Sequence, residues 1–138
     1  MAQLVPTTEV ADIVFSLNLI KMHQECFTAV SKAELLRGYL FTDRVLDVFL
    51  HVIPEARTKI YGVQIPIGAY QLAHIASGRR GSASIILKQF LEWAGKPTIW
   101  LFVKVDNKRA IEFYQRKGFT IESKAVFKNF SSYIMVLK

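Results

Sequence analysis

Apolar residues recur every three or four positions near the start of the chain, at Val10, Ile13, Val14, Leu17 and Ile20. This spacing predicts a helix that continues to about Gln24, after a short strand at Gln3 to Val5. A second helix is predicted from Ser31 to Tyr39, because Ser31 is a good N-cap and Glu34 stands three residues later. Two helices therefore precede the first long strand.

From Arg44 onward the pattern is that of β-strands. Val45 to Ile53 is rich in β-branched and large apolar side chains and stops at Pro54, which predicts a strand. Ile60 to Ile67 and Tyr70 to Ala76 are predicted as two further strands. The three segments together favour an antiparallel meander.

The second half of the chain alternates helices and strands. A third helix is predicted over 82–94, since its apolar residues recur at helical spacing and Gly95 follows it. Thr98 to Val105 is almost continuously apolar, as expected for a strand covered on both faces. A fourth helix and a closing hairpin follow, and the hairpin strands are predicted over Phe119 to Phe127 and Ser131 to Leu137.

The predicted order of elements is β-α-α-β-β-β-α-β-α-β-β. It indicates an α/β (α+β mixed) protein with a central mixed, mostly antiparallel twisted sheet flanked by helices. The crossover from strand 70–76 through helix 82–94 to strand 98–105 joins parallel strands and should be right-handed. It brings the start of the third helix to the C-terminal edge of the sheet, where anionic ligands are commonly held. Because no linker or repeat interrupts the 138 residues, we predict one domain over 1–138.

The composition argues against several classes of protein. Eighteen Lys and Arg against eleven Asp and Glu give a formal net charge of +7, so an anionic partner is expected. No zinc-finger spacing, RRM-like aromatic motif or long basic run is present, so a nucleic-acid-binding domain is supported by net charge alone. Cys26 is the only cysteine, and His23 and His51 have no ligand-spaced partners, so no metal site is expected. Without a secretion signal or a run of ~20 apolar residues, the chain is expected to be cytoplasmic and not bound to a membrane.

The segment Asn107 to Phe119 contains both boundaries of the fourth helix. Asp106 or Asn107 can cap its start, and Gly118 can take the left-handed conformation that ends it. On its own, a Phe-Tyr pair in an amphipathic helix is more often a pair of core aromatics than part of a site. One face of the helix carries Ala110, Phe113, Tyr114 and Lys117.

The pattern Asn-x-x-Ala-Ile-x-Phe-Tyr-x-x-x-Gly-Phe in this segment resembles the acyl-CoA-binding end of the GCN5-related N-acetyltransferase (GNAT) family. The predicted order of elements resembles the whole acyl-CoA N-acyltransferase fold. The resemblance implies that Asn107, Ala110 and Phe113 lie at the coenzyme, and that the Tyr114 hydroxyl reaches the thioester sulfur as general acid. The leaving thiol has a pKa of about 8.5, so a phenol donor beside it stabilises the charge that develops on sulfur.

The turn before the third helix resembles the family's phosphate loop, which reads Arg or Gln, two residues, Gly, one residue, then Gly or Ala. Gly81 and Ala83 match the last two fixed positions, but Gly78 stands where Arg or Gln is expected. Free backbone amides at a helix N-terminus hold a diphosphate, and neighbouring arginines can supply the missing cation. The cofactor-binding residues predicted in this turn are Arg79, Arg80, Gly81, Ser82, Ala83 and Ser84.

The resemblance also implies that the strand over 70–76 lies beside the thioester and splays away from the strand over 98–105. A backbone amide near Ile75 or Ala76 would then hold the thioester carbonyl oxygen. Direct transfer needs a neutral amine, and the strand carries no carboxylate, so His74 is the predicted base. A lone His on a strand is more often structural. Glu55 and Asp43 are weaker candidates for the base.

The leading hypothesis is an acetyl-CoA-dependent N-acetyltransferase that transfers an acetyl group directly to a primary amine of a small molecule, peptide or protein. The acceptor would be selected by Cys26 to Phe41 and by Lys124 to Tyr133, and a homodimer stays open. The alternative is a catalytically degenerate protein of the same fold that binds coenzyme A or a protein partner without turnover. Gly78 and the absent strand carboxylate favour this alternative.

Overall fold

The chain folds as a mixed α/β structure around a mostly antiparallel sheet, so the predicted fold class is confirmed. The computed structural model describes residues 5–23 and 30–138. The main sheet has the strand order β1-β2-β5-β6-β8-β7, and β3 and β4 form a separate two-stranded sheet. The elements are α1 (Val10–Met22), α2 (Lys32–Leu35), β1 (Tyr39–Asp43), β2 (Val48–Pro54), β3 (Lys59–Ile60), β4 (Val63–Gln64), β5 (Tyr70–Ser77), α3 (Ser82–Ala94), β6 (Ile99–Lys104), α4 (Lys108–Arg116), β7 (Thr120–Val126) and β8 (Ser131–Leu137).

The chain divides into two compact units, of which unit 1 comprises Met1–Ile53 and His74–Lys96. Strands β1 and β2 pair in antiparallel register. Helix α3 packs through Phe90, whose ring centroid lies 5.6 Å from that of Phe41. One cluster of buried apolar side chains joins α1 and α2 to the strands. Burying each large apolar side chain contributes about 1.5–3 kcal/mol to the free energy of folding. This cluster consists of Ile13, Leu19, Ile20, Leu35, Leu40, Phe49 and Ala76.

Unit 2 comprises Pro54–Ala73 and Pro97–Lys138. Strand β6 pairs antiparallel with β8 along its whole length, and β8 pairs antiparallel with β7. The start of β5 pairs with β6 in parallel, as the predicted crossover requires. The buried residues that form its core cluster are Ile60, Ile65, Ala69, Trp100, Ala125, Ile134 and Val136.

Two segments differ from the prediction. The second helix ends at Leu35, and Gly38, with φ of 73°, turns the chain into β1, which was not predicted as a strand. The predicted strand over Ile60 to Ile67 is interrupted because Tyr61 and Gly62 both have positive φ, 45° and 85°. Two such residues form the tight turn of a hairpin, and this turn joins β3 to β4.

The prediction for the first strand and the first helix can be compared with the structure only in part. Gln3 of the predicted first strand lies outside the described residues, as do Cys26 and the predicted helix end at Gln24. The amide of Thr7 donates to the carbonyl of Leu40 at 2.8 Å, an isolated antiparallel bridge. Helix α1 ends at Met22.

Candidate active site

Helix α4 in unit 2 begins and ends where the sequence predicts. Asn107 is its N-cap, because its side-chain oxygen accepts a hydrogen bond from the amide of Ala110 at 3.2 Å. Gly118, with φ of 98°, follows the helix. The cap therefore fixes the start of the helix that carries Phe113 and Tyr114.

Tyr114 is the buried residue of α4. Its ring packs against Phe113 and Phe119, with centroid distances of 5.3 Å to each. Burial raises the pKa of the Tyr114 phenol above its usual value. The hydroxyl is therefore protonated at neutral pH, as a proton donor must be. Phe113 and Ala110 are half-buried on the same helix.

The turn before α3 lies in unit 1 and has the geometry of an open helix start. Gly81 is the N-cap with φ of 85°, and a Cβ added there would meet no atom within 4 Å. Arg79 and Arg80 are exposed. Since the first amides of a helix have no acceptor within it, the amides of Ala83 and Ser84 can point at an anion.

Ser82 differs from its neighbours in this turn. Its hydroxyl donates to the carbonyl of Leu46, and its amide donates to the carbonyl of Arg79 at 3.3 Å. The residue is buried. Ser82 therefore joins the turn to the loop between β1 and β2, and its polar groups already have partners.

The same loop contacts Gly78, the residue at which the family pattern has Arg or Gln. The amide of Gly78 donates to the carbonyl of Asp47 at 2.7 Å. A Cβ at position 78 would collide with the Asp47 carboxylate. A side chain there would require the Asp47 carboxylate to move, and this carboxylate lies beside the turn in which the phosphate site is predicted.

Strand β5 pairs with β6 over only its first residues. Within unit 2, Tyr70 pairs with Ile99 and Gln71 with Trp100, and this register does not continue at Leu72 or Ala73, both described residues. Such an early end of pairing is what the predicted splay requires. Ile75 and Ala76 follow on β5 in unit 1, and the role predicted for their amides stays a prediction.

His74 on β5 forms a pair with His51 on β2, and both belong to unit 1. Their Nδ1 atoms are 2.9 Å apart, and the rings are parallel within 5°. The other nitrogen of His51, Nε2, lies 2.5 Å from the carbonyl oxygen of Arg37. Burial lowers the pKa of His74 to about 4, with a smaller contribution from His51, and burial also lowers the pKa of His51. Both rings are neutral at pH 7.

His51 is the residue of this region that reasoning from the sequence missed. It was considered only as a metal ligand, for which it has no ligand-spaced partner. No signal for the pair was available in the sequence, because the predicted meander places the strand over Ile60 to Ile67 between the two strands that carry the histidines, whereas in the structure β2 lies next to β5. No group of three or more His, Cys, Asp or Glu side chains that could hold an ion occurs within 5–23 and 30–138.

The two weaker candidates for the base have structural partners. Glu55 accepts hydrogen bonds from Arg57 Nε at 3.1 Å and from Trp100 Nε1 at 3.0 Å. Burial alone would raise the pKa of Glu55, but the hydrogen bonds from Arg57 outweigh it and lower that pKa. Asp43 accepts the amide of Leu46 in the turn between β1 and β2. Both carboxylates thus stabilise local structure.

The predicted site residues are divided between the two units. Those of unit 1 are His74, Ile75, Ala76, Arg79, Arg80, Gly81, Ser82, Ala83 and Ser84. Those of unit 2 are Asn107, Ala110, Phe113 and Tyr114. In each unit the predicted residues are neighbours on one continuous segment, a strand and turn in the first and a helix in the second.

Residues 76–119 match the model of the Acetyltransferase (GNAT) family. The matched segment runs from the end of β5 through the turn, α3, β6 and α4 to Phe119. A search of curated protein sequences finds no match. The resemblance to GNAT acetyltransferases inferred from the sequence is thereby confirmed.

Solved structures of acetyltransferases share the fold over nearly the whole chain. Ribosomal-protein-S18-alanine N-acetyltransferase from Escherichia coli is 18% identical, with a TM-score of 0.68 over 99% of this chain and 93% of that one. Ard1 from Thermoplasma volcanium is 16% identical, with a TM-score of 0.73 over 98% and 95%. Arabidopsis thaliana NAA60, solved in complex with acetyl-CoA, is 16% identical, with a TM-score of 0.65 over 97% of both chains. Among the described residues, no helix is both long and apolar enough to cross a membrane.

Proposed function

We propose that this protein is an acetyl-CoA-dependent N-acetyltransferase that transfers the acetyl group directly to a primary amine. One observation carries the proposal. The segment that matches the GNAT family model contains both the open start of α3 and the helix of the buried, protonated Tyr114. These are the two features that the chemistry needs, an anion site and a proton donor.

The residues present fit a coenzyme A diphosphate at the turn before α3. Gly81 leaves open space above the turn, and Arg79 and Arg80 place two exposed cations beside it. Ala83 and Ser84 supply backbone amides at the positive end of the helix dipole. Ser82 would contribute by holding the turn in place, because its hydroxyl and amide are already engaged. In unit 2, Asn107, Ala110 and Phe113 are proposed to contact the coenzyme.

The reaction requires one proton acceptor and one proton donor from the chain. The amine nitrogen forms a bond to the acyl carbon while the bond from that carbon to sulfur breaks. His74 takes the proton released by the amine, and Tyr114 gives a proton to the departing thiolate. A backbone amide of Ile75 or Ala76 is proposed to stabilise the negative charge on the carbonyl oxygen. The products are the N-acetylated amine and free coenzyme A, and no covalent enzyme intermediate is formed.

The acceptor is proposed to be a primary amine, and a peptide N-terminus is the first class to test. One similar structure is that of an enzyme named for the alanine of ribosomal protein S18 that it acetylates. Another similar structure is a spermidine N-acetyltransferase from Vibrio cholerae, so a small polyamine is the second class. A net charge of +7 disfavours a polycationic acceptor and makes it the weaker choice.

A non-catalytic role is the second candidate, and one observation favours it. The Asp47 carboxylate lies beside Gly78, the residue at which the family pattern has Arg or Gln. A negative charge there opposes diphosphate binding. In this alternative the protein keeps the fold and binds coenzyme A weakly, or binds a protein partner, without turnover.

Calorimetric titration with acetyl-CoA, followed by thiol release with peptides and small amines, separates the candidates. Saturable binding in the micromolar range and amine-dependent thiol release are expected. The release assay should include peptides that begin with Ala, Ser or Met, together with spermidine. Absence of binding at high micromolar acetyl-CoA would exclude the enzyme. Binding without release for any amine would favour the non-catalytic candidate.

A further inference from the structure

Four aromatic side chains of unit 2 form an exposed patch that takes no part in the chemistry proposed above. The residues of this aromatic patch are Tyr61, Phe102, Phe127 and Phe130. Tyr61 is 55% exposed, Phe130 41% and Phe102 36%, whereas Phe127 is half-buried and contacts the other three. Soluble proteins seldom expose large apolar side chains in one group, so the aromatic patch indicates a binding surface.

The rings of Tyr61, Phe102 and Phe127 are fixed against one another. Their centroids are 5.8–6.0 Å apart and each pair is inclined by 75–77°, so no two of these rings are stacked. The Tyr61 carbonyl also accepts a hydrogen bond from the Ser123 hydroxyl at 3.2 Å, which joins the β3–β4 turn to β7. The surface is therefore formed in advance, and a ligand does not have to order it.

Tyr61 occupies a backbone position that tyrosine seldom takes. Its φ is 45°, at the first residue of the turn whose second residue is Gly62. Asn, Asp or Gly suits this position, because a left-handed conformation is strained for a bulky side chain. Strain of this kind concentrates at ligand-binding sites. A tyrosine that is strained and more than half exposed points to a use for its ring.

Each chain segment that supplies a ring to the aromatic patch also supplies a lysine. The pairs are Lys59 with Tyr61, Lys104 with Phe102, and Lys128 with Phe127. The Lys104 ammonium lies 5.4 Å from the centroid of the Phe130 ring, and Lys59 and Lys128 are exposed. In the part of the chain that the structure describes, none of these three lysines forms an ion pair. Their charge is therefore available to an anion.

The net charge of the chain is concentrated in the same unit. Unit 2 contains ten Lys and Arg against four Asp and Glu, whereas unit 1 contains eight against seven. The excess of positive charge attracts an anionic macromolecule to unit 2 and raises the rate at which the two associate. A cationic ligand for the exposed rings is disfavoured for the same reason.

We propose that the aromatic patch and its three lysines bind single-stranded nucleic acid, with bases on the rings and phosphates at the ammoniums. Every nucleotide carries both a planar base and an anionic phosphate, and bases of any sequence stack on aromatic side chains. An acidic peptide would match the lysines, but the negative faces of the rings repel its carboxylates. An apolar protein partner would match the rings and leave the ammoniums desolvated without a partner. The observations therefore favour nucleic acid over both kinds of protein.

Fluorescence anisotropy with labelled decauridylate RNA and with decathymidylate DNA tests the proposal. Saturable binding of at least one oligonucleotide in the micromolar range is expected at low salt. Between about 50 and 200 mM KCl the affinity should fall about fifteenfold, because three phosphate contacts on a single strand give a logarithmic slope of about −2. Absence of binding to both oligonucleotides would overturn the proposal. Because the assay contains no coenzyme, that failure would leave the proposed function untouched.

Two substitutions separate the rings from the charges. Tyr61→Asn removes a ring and keeps a residue that suits the left-handed turn, so the fold should be retained. Its affinity should fall about tenfold, because one base loses its stacking partner. Lys104→Gln should weaken binding and reduce the magnitude of the salt slope by about 0.7, the share of one phosphate contact. Unchanged affinity in Tyr61→Asn would mean that the rings only pack the hairpin and would overturn the proposal.

Matched controls exist for the ring and for the charge. Ile67 is 92% exposed in the same unit and lies outside the aromatic patch, and Lys88 is an exposed lysine of α3 in unit 1. Ile67→Asn and Lys88→Gln should each keep the affinity within twofold. Polyglutamate at the same concentration of charge should displace little RNA. If it displaces the RNA fully, the surface binds acidic peptides and the proposal is wrong.

Competition with the coenzyme provides the last test. None of the residues proposed to hold coenzyme A belongs to the aromatic patch, so saturating acetyl-CoA should leave the affinity for the oligonucleotide within twofold. Displacement of the oligonucleotide by acetyl-CoA would mean that its phosphates occupy the coenzyme site, and would overturn the proposal.

Discussion

Tyr114 illustrates how burial sets the chemistry of one residue. Its phenol is held among Phe113 and Phe119, and burial raises its pKa, so the hydroxyl stays protonated at neutral pH and is a weaker acid than an exposed phenol. Replacement by Phe removes the hydroxyl and keeps the ring. We expect Tyr114→Phe to lower kcat by about a hundredfold, since general acid catalysis is worth 10²–10⁴-fold. Steady-state thiol release measures kcat, and calorimetry should show acetyl-CoA affinity unchanged within twofold. An unchanged kcat would remove Tyr114 from the mechanism.

Gly78 illustrates how one contact can change a family pattern. A Cβ at this position meets the Asp47 carboxylate, the end of a flexible side chain that can move, so Gly78→Ala should destabilise the fold by about 1 kcal/mol, the low end of the cost of overpacking. Asp47 itself has a positive φ of 56°, which glycine adopts without strain, so Asp47→Gly should be tolerated. In that background Gly78→Ala should change the free energy of unfolding by less than about 0.5 kcal/mol. Urea unfolding of the four proteins measures this coupling, and equal costs in both backgrounds would refute the contact.

At the scale of the element, the N-cap of α4 tests whether Asn107 acts on the helix or on the coenzyme. Its side chain accepts the amide of Ala110, so Asn107→Ala should destabilise the protein by about 1 kcal/mol. Asn107→Asp keeps an equally good cap and should restore the stability measured by urea unfolding. The aspartate adds a negative charge, however, and should weaken acetyl-CoA binding if Asn107 lies near the phosphates. Unchanged affinity in the Asp variant would exclude Asn107 from the coenzyme site.

Elements with strong local signals were predictable, and those that depend on unusual backbone angles or on other segments were not. Helix α3 follows its apolar spacing and ends at Gly95, with φ of 78°. Strand β6 is a continuous apolar run. The β3–β4 hairpin was missed because Tyr61 takes a positive φ, which no propensity of tyrosine indicates. The His51–His74 pair depends on contact between residues 23 positions apart, which periodicity along the chain does not encode.

At the scale of the whole molecule, the fold is kept at 16–18% identity to solved acetyltransferases. Such identity preserves the pattern of buried positions and turns rather than particular side chains. The segments that are predicted to select the acceptor are therefore the least predictable part of the chain. The family pattern matches Asn107, the N-cap of α4, and Gly81, the N-cap of α3 with φ of 85°, because backbone geometry constrains those two positions directly.

The stability of the molecule should depend on pH in a window set by the histidine pair. Burial lowers the pKa of His74 from its ordinary value of 6.5 to about 4 in the folded protein, and the pKa of His51 is also lowered. The unfolded chain therefore binds more protons as pH falls below 6.5, so stability present above this pH is lost progressively down to about pH 4. Because His74 is partly exposed, we expect its share to be roughly 1–2 kcal/mol.

The window can be separated from the titration of the carboxylates. The lowered pKa values of Asp12 and Glu55 mean that their stabilisation is present above their ordinary values of 3.8 and 4.5 and is lost only at lower pH. Unfolded Glu side chains begin to bind protons at about pH 5.5, so between pH 6.5 and about 5.5 the slope of the unfolding free energy belongs to histidines. Urea unfolding across this range should show a shallower slope in His74→Ala than in the wild type. Tyr114→Phe should keep the wild-type slope, because the Tyr114 phenol titrates far above this pH range. An unchanged slope in His74→Ala would contradict the burial of a neutral His74.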